Sequence, residues 1–427
     1  MRVLVVGSGG REHALVWKLA GEAGVDEVLA APGSAAIADM AECVPVAADD
    51  IEGLAGLASE RGIDLTVVGP EAPLAAGIGD LFAERGLDLF GPSREGARLE
   101  ASKAFTKSVL TEAGVPTAAY GETAEATEAK DMVRRFGCPV VVKADGLAAG
   151  KGVIICTDEA EAGRAIDGML VDGSFGQAGS RVLVEEFLEG EEASFMAVTD
   201  GRSVLPLASS QDHKPVFDGD RGPNTGGMGA YSPAPVLTEE MSASIVGRII
   251  EPTVATLAGR GIDFRGVLYA GLMMTADGPK VLEYNVRFGD PECQPIMARL
   301  RSSLLDIMQA TVAGELAGVR PEWDDRDAVC VVMSSGGYPG DYQKGKTIEG
   351  IERAAALADV TVFHAGTARD DNGRWVTAGG RVLGVTALGQ GVGEAATAAY
   401  AGVDSISWED AHWRRDIAHR AIARARG

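Results

Sequence analysis

Short apolar runs that alternate with amphipathic stretches dominate the first hundred residues. The runs occupy residues 2–7, 25–31, 63–69 and 87–91, and each ends in a turn rich in glycine or proline. Continuous apolar strands between helices are typical of a sheet buried on both faces, so this pattern predicts a doubly wound parallel sheet. Ligands gather at the carboxyl ends of the strands in such sheets, which is where these four turns lie.

Later apolar runs predict two further regions. Strands are predicted at residues 138–144, 152–157, 181–188, 270–275 and 279–288, and then at 328–335, 361–367 and 381–389. No internal repeat interrupts this order. We predict an α/β and α+β multidomain chain, with a doubly wound parallel-sheet domain at 1–101, a central region at 102–324 and a small α+β domain at 325–427.

The charge balance narrows the classes of partner. The chain carries 62 acidic against 39 basic residues, a formal charge of −23, so it should repel nucleic acid and anionic membrane surfaces. No apolar stretch approaches the roughly 18 residues that a membrane helix needs. Five cysteines without a CxxC pair argue against a disulfide framework. We therefore expect a cytoplasmic protein that binds small molecules, with phosphate sites built from local basic or glycine-rich segments.

The first such segment is the turn VLVVGSGGREHAL at residues 3–15. A dinucleotide fingerprint would need a glycine where Glu12 stands, which weakens a nicotinamide interpretation. Backbone amides at Gly9 and Gly10 can still approach an anion at a helix start, and Arg11 offers a guanidinium suited to phosphate. The alternative is a tight structural turn with Arg11 in solvent.

The second segment, VVVKADGLAAGKGV at residues 140–153, follows a buried strand. Lys143 ends that strand, where an unpaired ammonium would be unfavourable. Gly150 and Lys151 lie in a glycine-rich stretch that does not have the spacing of a Walker A loop. A mobile lid over phosphates fits the pattern, and an ordinary hairpin turn with a surface lysine is the alternative.

The third segment, VLVEEFLEGEEASF at residues 182–195, carries acids on a strand. Neighbouring residues of a strand face opposite sides, so Glu185 and Glu186 should differ in burial. Backbone groups at a strand edge can bind an adenine, and Glu192 is a candidate for ribose hydroxyls. A solvated acidic turn is the alternative.

The fourth segment, KVLEYNVRFGDPECQP at residues 280–295, places Glu283, Asn285 and Arg287 on one strand face. Carboxylate and amide oxygens suit magnesium, which commonly bridges ATP phosphates. Arg287 would counter the charge on a transferring phosphoryl group. The alternative is a merely solvent-exposed polar face.

The fifth segment, residues 211–235, has little periodicity and many turn residues. A long loop in a compact domain is usually functional or disordered. Asp212, His213 and Lys214 are candidate substrate contacts, although a lone histidine is more often structural. The run NTGGMG at 224–229 offers backbone donors and a helix-free ligand wall.

The order of these motifs resembles that of the ATP-grasp superfamily. A lysine at a strand end comes first, followed by a glycine–lysine lid, an acidic strand and an E-x-N strand. Over nearly the whole chain, the sequence is similar to the phosphoribosylamine–glycine ligase family. The motifs that carry this similarity are GSGGREHAL, GPEAPLAAGI, SKAFTK, KADGLAAGKGV, QDHK, GPNTGGMGAYSPAP and EYNVRFGDPE. The resemblance implies central ATP-grasp domains with a mobile lid subdomain at about 116–193. It also implies an ATP-dependent carboxylate–amine ligase that joins glycine to 5-phosphoribosylamine through glycyl phosphate in purine synthesis, acting as a monomer with Mg²⁺ or Mn²⁺.

The resemblance also implies roles for residues of this chain. ATP would be bound by Lys103, Lys143, Gly150, Lys151, Glu185, Glu186, Phe187, Leu188 and Glu192, and the metal by Glu283 and Asn285. Phosphoribosylamine would contact Gly9, Gly10, Arg11, Glu12 and Glu71. Glycine and the transfer centre would be framed by Asp212, Lys214, Asn224, Thr225, Gly226, Gly227, Met228, Gly229, Arg287, Gly289 and Asp290. Arg287, Lys143 and Asp212 are the candidate catalytic residues.

Three other interpretations remain at this point. The nearest is another purine-pathway ATP-grasp enzyme that activates formate or bicarbonate, which a substrate screen would separate. A Rossmann oxidoreductase is weakened by Glu12 and leaves most of the chain unexplained. A non-catalytic nucleotide-binding scaffold conflicts with the intact set of lysine, glutamate and asparagine residues.

Overall fold

The fold is that of a computed structural model, which describes residues 1–147, 152–172, 174 and 176–426. An N-terminal parallel sheet is followed by two central antiparallel sheets and a C-terminal antiparallel sheet. This is the α/β and α+β multidomain class that the apolar patterns predict, and the parallel N-terminal sheet is confirmed. Among the described helices, none is both long enough and apolar enough to cross a bilayer.

The N-terminal sheet has five parallel strands in the order β3-β2-β1-β4-β5. Its strands are β1 Arg2–Gly7, β2 Glu27–Pro32, β3 Glu42–Cys43, β4 Leu65–Val68 and β5 Leu89–Phe90. Its helices are α1 Gly10–Ala20, α2 Ile51–Arg61, α3 Glu71–Ala76, α4 Ile78–Glu84 and α5 Arg94–Ala101. Because β1 pairs with β4, the helices that follow these two strands begin side by side at one edge of the sheet.

A small second sheet has the order β6-β9-β7-β8 and a hydrophobic core of its own. Its strands are β6 Tyr120–Thr123, β7 Val140–Ala144, β8 Val153–Cys156 and β9 Val182–Glu186. The helices of this part of the chain are α6 Lys103–Glu112, α7 Ala126–Phe136 and α8 Glu159–Leu170. The apolar faces of α7 and α8 cover the sheet and bury Val140, Val142 and Val184 completely.

The next part of the chain contributes to two sheets. Its strands are β10 Glu191–Thr199, β11 Val204–Pro206, β12 Gln211–Asp212, β13 Pro215–Phe217, β14 Arg221–Asn224, β15 Gly229–Ser232, β16 Gly266–Thr275 and β17 Gly278–Asn285. Its helices are α9 Glu239–Ile245, α10 Glu251–Gly259, α11 Cys293–Arg299 and α12 Leu304–Ala313. Four of the strands form the antiparallel sheet β11-β10-β16-β17, which places the polar face of β17 at its edge.

The C-terminal part supplies β18 Asp327–Ser335, β19 Val360–His364, β20 Thr367–Arg369, β21 Trp375–Thr377, β22 Arg381–Gly389 and β23 Ala411–His412. Its helices are α13 Ile351–Ala355, α14 Val392–Asp404 and α15 His419–Arg426. The sheet order is β12-β15-β18-β22-β19, with β23 also pairing with β18. Two short strands from the middle of the chain therefore extend the C-terminal sheet, across the predicted boundary at residue 324.

The expectation that residues 211–235 form a loop without regular structure was wrong. They contain β12 to β15, of which β13 and β14 form a hairpin and β15 pairs with β18. These strands are two to four residues long, and one of them, β15, pairs with a strand a hundred residues away. Such short, non-local pairing leaves no periodic pattern along the chain.

Candidate active site

A cleft of about 620 Å³ lies where the four sheets meet. Residues from the N-terminal sheet, both central sheets and the C-terminal sheet contribute to its walls. The predicted site residues that line it are Arg11, Glu71, Lys103, Lys143, Glu185, Asp212, Lys214, Asn224, Thr225, Gly226, Glu283, Asn285, Arg287 and Asp290. The fold thus brings segments from all five sequence motifs to one place.

Three lysines and one glutamate gather at one end of this cleft. Lys143 Nζ lies 3.0 Å and Lys107 Nζ 3.2 Å from the same Oε2 oxygen of Glu185. Glu185 is 2% exposed, and its Oε1 has no hydrogen-bond partner among the described residues. Burial lowers the pKa of Lys103, and lowers that of Lys107 to about 8 against the attraction of Glu185. Excess positive charge and one unsatisfied acceptor together suit a ligand that has an anionic part and a donor group.

A carboxylate and an amide mark the middle of the cleft, on β17. Glu283 and Asn285 both line it, as strand alternation predicts. Burial opposes ionisation of Glu283, but the positive charges of Lys214, Lys143 and Lys103 outweigh it and hold its pKa below the usual value. Within the described ranges there is no group of three or more acidic, histidine or cysteine residues that could hold a metal. Two protein oxygens fit a divalent cation that takes its remaining ligands from water and phosphate.

Arg287 lies just beyond the end of β17, between two carboxylates. Its Nη2 donates to Glu100 Oε1 at 2.8 Å, and its Nε to Glu71 Oε2 at 3.4 Å. Glu100 Oε2 also accepts the Val286 amide at 2.8 Å. Burial raises the pKa of Glu100; burial acts in the same sense on Glu71, but Arg287 and Arg11 outweigh it and lower its pKa. Glu100 therefore holds the inner side of the guanidinium, and the more exposed Glu71 stands nearer the open cleft.

Arg11 reaches the same end of the cleft from the start of α1. Its Nε donates to Glu12 Oε1 at 2.7 Å and its Nη1 to the Phe288 carbonyl at 3.0 Å. The other oxygen of Glu12 accepts the Gly9 amide at 2.6 Å. A Cβ on Gly69 would lie 2.0 Å from Glu12 Oε1, so only glycine leaves room for this carboxylate. Glu12 is thus buried behind Arg11 and orients it, which explains why the dinucleotide fingerprint is broken at this position.

Residues 224–226, at the end of β14 and just after it, form another wall of the cleft. The amide of Thr225 donates to the Lys214 carbonyl at 2.9 Å, that of Gly226 to Tyr338 Oη at 3.0 Å, and those of Gly227 and Met228 to other protein oxygens. These four amides are therefore already engaged, contrary to the expectation of free backbone donors. The contact between Gly226 and Tyr338 ties this wall to the C-terminal part of the chain.

Arg381 closes this wall from β22. Its Nη1 donates to the carbonyls of Gly226 at 2.5 Å and Asp290 at 2.7 Å, and its Nη2 to Asp290 Oδ2 at 2.9 Å. Burial opposes ionisation of Asp290, but the charges of Arg381 and Arg11 outweigh it and lower its pKa. Arg381 thus connects Gly226 and Asp290, which belong to two segments predicted to frame glycine.

Asp212 lines the cleft beside a hydrogen-bonded cluster. Tyr269 Oη and Ser194 Oγ donate to Glu292 Oε1 at 2.5 and 3.0 Å. Burial raises the pKa of Asp212 to about 8, with Lys214 opposing the shift and Glu292 adding to it.

Several predicted residues lie beside the cleft or away from it. Glu192 does not line the cleft but is paired with Lys214, which does. Glu12 is paired in the same way with Arg11. His213 points away from it: the side chain is 1% exposed and packs against α15. The residues that do not line the cleft are Gly9, Gly10, Glu186, Phe187, Leu188, Gly227, Met228, Gly229 and Gly289. Gly150 and Lys151 fall outside the described residues.

The residues that line the cleft and that sequence reasoning missed include Glu100, Lys107, Tyr269, Glu292, Tyr338 and Arg381. Lys107 follows Lys103 by one helical turn on α6, a spacing that would have found it. Glu292 lies inside the motif EYNVRFGDPE, which was recognised for other residues. Glu100 and Arg381 belong to an ordinary amphipathic helix and an apolar strand, which carry no signal of a site.

Three family descriptions match consecutive parts of the chain. They are the N domain of phosphoribosylglycinamide synthetase at residues 1–100, its ATP-grasp (A) domain at 101–293 and its C domain at 328–420. The N and C matches and the A match each contribute residues to the cleft. This order accounts for the Rossmann-like start without a nicotinamide site.

Relatives and solved structures agree with these matches. Proteins named phosphoribosylamine–glycine ligase from Allochromatium vinosum and Pseudomonas aeruginosa are 56% and 55% identical, and each pair is covered over 100% of both chains. The crystal structure of the Thermotoga maritima protein of that name has a TM-score of 0.85 at 33% identity, over 98% of this chain and 100% of its own. An N5-carboxyaminoimidazole ribonucleotide synthetase from the same organism, at 18% identity and a TM-score of 0.64 over 95% and 99% of the two chains, shares the fold alone. The chain therefore belongs to the phosphoribosylglycinamide synthetase family.

Proposed function

We propose that this protein joins the carboxylate of glycine to the amine of 5-phosphoribosylamine, with cleavage of ATP to ADP and phosphate. The observation that carries the proposal is the single cleft to which all three family domains contribute residues. It combines a lysine-rich end, a carboxylate–amide pair and an arginine-rich end. The relatives of 52–56% identity that bear the ligase name support the same reaction over activation of formate or bicarbonate.

The nucleotide fits the lysine-rich end. Lys143 and Lys103 would attract its phosphates, and the second oxygen of Glu185 would accept a hydrogen bond from a donor such as the adenine amino group. Lys107 shares Glu185 with Lys143, so the carboxylate stays paired when phosphate draws Lys143 away. Glu192, already bonded to Lys214, would receive the ribose hydroxyls.

Glu283 and Asn285 would hold Mg²⁺ or Mn²⁺, because hard oxygen ligands suit both ions. When bound, such an ion neutralises charge on the phosphates of the nucleotide. Lys214 Nζ lies 3.7 Å from Glu283 Oε1, so its ammonium would share this carboxylate with the ion.

The chemistry needs charge stabilisation more than a nucleophilic side chain. A carboxylate is a poor electrophile, so a glycine oxygen attacks the γ-phosphorus, ADP leaves, and glycyl phosphate forms. The amine of phosphoribosylamine then attacks the carbonyl carbon, loses a proton and expels phosphate. Arg287, pinned by Glu100, would stabilise the negative charge of the transferring group. Asp212 and the wall at Gly226 would orient glycine, and a closed cleft would exclude water from the acyl phosphate.

At the other end, Arg11 and Glu71 would receive phosphoribosylamine. Arg11 offers a guanidinium whose orientation is fixed by Glu12, and its Nη2 makes no hydrogen bond within the part of the chain that the structure describes. Such an oriented donor suits the phosphate of the acceptor. A monomeric state and a cytoplasmic location stay predictions.

The test is phosphate release from ATP by the purified protein, with glycine or freshly made phosphoribosylamine omitted in turn. We expect release only when both are present together with Mg²⁺. Release that persists without glycine, or that needs formate or bicarbonate instead, would refute the proposed substrate pair.

A further inference from the structure

The three residues from the end of β12 to the start of β13 point alternately into the cleft and away from it. Asp212 and Lys214 line the cleft, whereas His213 between them is buried on the opposite side. His213 Nε2 accepts the Ala418 amide at 2.9 Å, and the ring lies 5.3 Å from that of His419. The strand that carries two cleft residues is therefore fastened from behind by the C-terminal segment, here residues 411–426.

A buried ion network fastens the hairpin that follows. Arg414 is fully buried and bonds Asp416 with two nitrogens at 2.8 Å each. Its Nη1 also donates to Asp220 Oδ1 at 2.9 Å and to the Pro215 carbonyl at 3.2 Å. Asp416 in turn accepts the Gly219 amide at 2.8 Å. The first strand of the hairpin and the turn after it are thus fixed to one guanidinium, directly or through Asp416.

A second tie reaches the other end of the same strand. Arg424, on α15, donates to Glu191 at 3.0 Å. Gln211, the residue before Asp212, donates from Nε2 to Glu191 Oε1 at 2.9 Å and to the Glu192 carbonyl at 2.5 Å. The C-terminal segment therefore holds residues 211–220 at their start, middle and end.

We propose that His213 and Arg414 are positioning residues, through which the C-terminal segment aims Asp212 and Lys214 at the reacting groups. Lys214 lies between Glu192 and Glu283, so a small shift of this strand would move the ammonium away from both carboxylates. An ion network around a buried guanidinium is weak evidence for added stability, so its use here favours a role in fixing geometry. The expected effect on turnover rests on the proposed function, whereas the contacts that position Asp212 and Lys214 do not depend on it.

The test compares variants by kinetics. His213→Ala removes the acceptor for Ala418, whereas the Oε1 of Gln in His213→Gln can occupy nearly the same place. The loss of one hydrogen bond sets the size of the effect, so we expect kcat of His213→Ala to fall about tenfold. KM for ATP should stay within about twofold of the wild-type value, and kcat should recover in His213→Gln. Arg414→Ala should resemble His213→Ala. Arg415→Ala is its matched control, because that neighbouring guanidinium is exposed and makes no ion pair with the described residues.

A second readout does not depend on turnover: amide hydrogen exchange of residues 211–217. We expect faster exchange in His213→Ala and Arg414→Ala, and wild-type exchange in His213→Gln and Arg415→Ala. If Arg414→Ala does not fold, Arg424→Ala tests the same segment from an exposed side chain. Wild-type exchange and wild-type kcat in His213→Ala would overturn the proposal, as would a fall in melting temperature with unchanged kcat. Faster exchange in a protein whose wild type shows no glycine-dependent phosphate release would refute the proposed function and leave the positioning role standing.

Discussion

Lys214 Nζ lies 2.9 Å from Oε2 of Glu192, so the candidate for the ribose hydroxyls is paired with a lysine predicted to frame glycine. The same ammonium is 3.7 Å from the candidate metal ligand Glu283. Burial opposes ionisation of Lys214, but the neighbouring carboxylates, Glu192 foremost, outweigh it and raise its pKa well above the usual value. One cation therefore links the proposed nucleotide, metal and glycine parts of the cleft, and we expect binding at one part to change affinity at the others.

The first prediction concerns the metal. Glu283→Gln keeps the shape of the side chain but removes the charge that a divalent cation needs. We expect most turnover to be lost while ADP still binds without metal, because the lysine-rich end is unchanged. Calorimetric titration with ADP and steady-state kinetics measure the two effects. Glu189→Gln, at an exposed position, is the control, and full activity in Glu283→Gln would refute the assignment.

The second prediction concerns the acceptor phosphate. Arg11→Ala removes an oriented guanidinium, and a charge-assisted hydrogen bond is worth roughly 1.5–3 kcal/mol, so KM for phosphoribosylamine should rise about tenfold to a hundredfold. KM for ATP should stay nearly constant. Arg61→Ala, on the surface of the same domain, should change neither constant. An equal rise in both constants for Arg11→Ala would contradict the division of the cleft into a nucleotide end and an acceptor end.

The third prediction concerns Glu100, which holds Arg287 at 2.8 Å. Loss of the carboxylate frees the guanidinium, so kcat in Glu100→Ala should fall by about tenfold or more, with a smaller loss in Glu100→Gln, which can still accept one hydrogen bond. Glu95→Ala, at an exposed position of the same helix, is the control. Equal kcat values for the Ala and Gln variants and the wild type would show that Arg287 does not need this partner.

The fourth prediction concerns pH and stability. The pKa of Asp212 is raised by burial to about 8, so between its ordinary value and pH 8 the folded state binds more protons than the unfolded state. Stability from this group must therefore fall as pH rises through that window. Asp212→Asn removes the dependence, so its gain over wild type should be larger at pH 8 than at pH 5 in urea unfolding. Asp277→Asn, at an exposed turn, should show no such difference, and an equal gain at both pH values in Asp212→Asn would contradict the shift.

Local patterns predicted the parts of the site that lie on single strands. Alternation along β17 correctly placed Glu283 and Asn285 together in the cleft, and alternation along β9 correctly separated buried Glu185 from the more exposed Glu186. The parallel N-terminal sheet followed in the same way from continuous apolar runs, because burial on both faces leaves a signal in the chain itself.

Long-range contacts could not be predicted in this way. Arg381 reaches Gly226 over 155 positions, and His213 meets Ala418 over 205, so no spacing along the chain marks either pair. Glu12 was expected at the substrate because of its motif, but its carboxylate turns back to the Gly9 amide and to Arg11. Which of several polar groups faces a ligand depends on such partners, and these appear only in the folded chain.

The central claim, that glycine is activated as an acyl phosphate, is tested most directly by following oxygen. Glycine labelled with heavy oxygen in its carboxylate should transfer one labelled oxygen to each phosphate released, because that oxygen attacks the γ-phosphorus and departs with it. Water should contribute none during productive turnover, since the amine displaces the phosphate. Mass spectrometry of the released phosphate measures this transfer. One labelled oxygen per phosphate is the predicted result; unlabelled phosphate, or label in AMP with release of pyrophosphate, would contradict it.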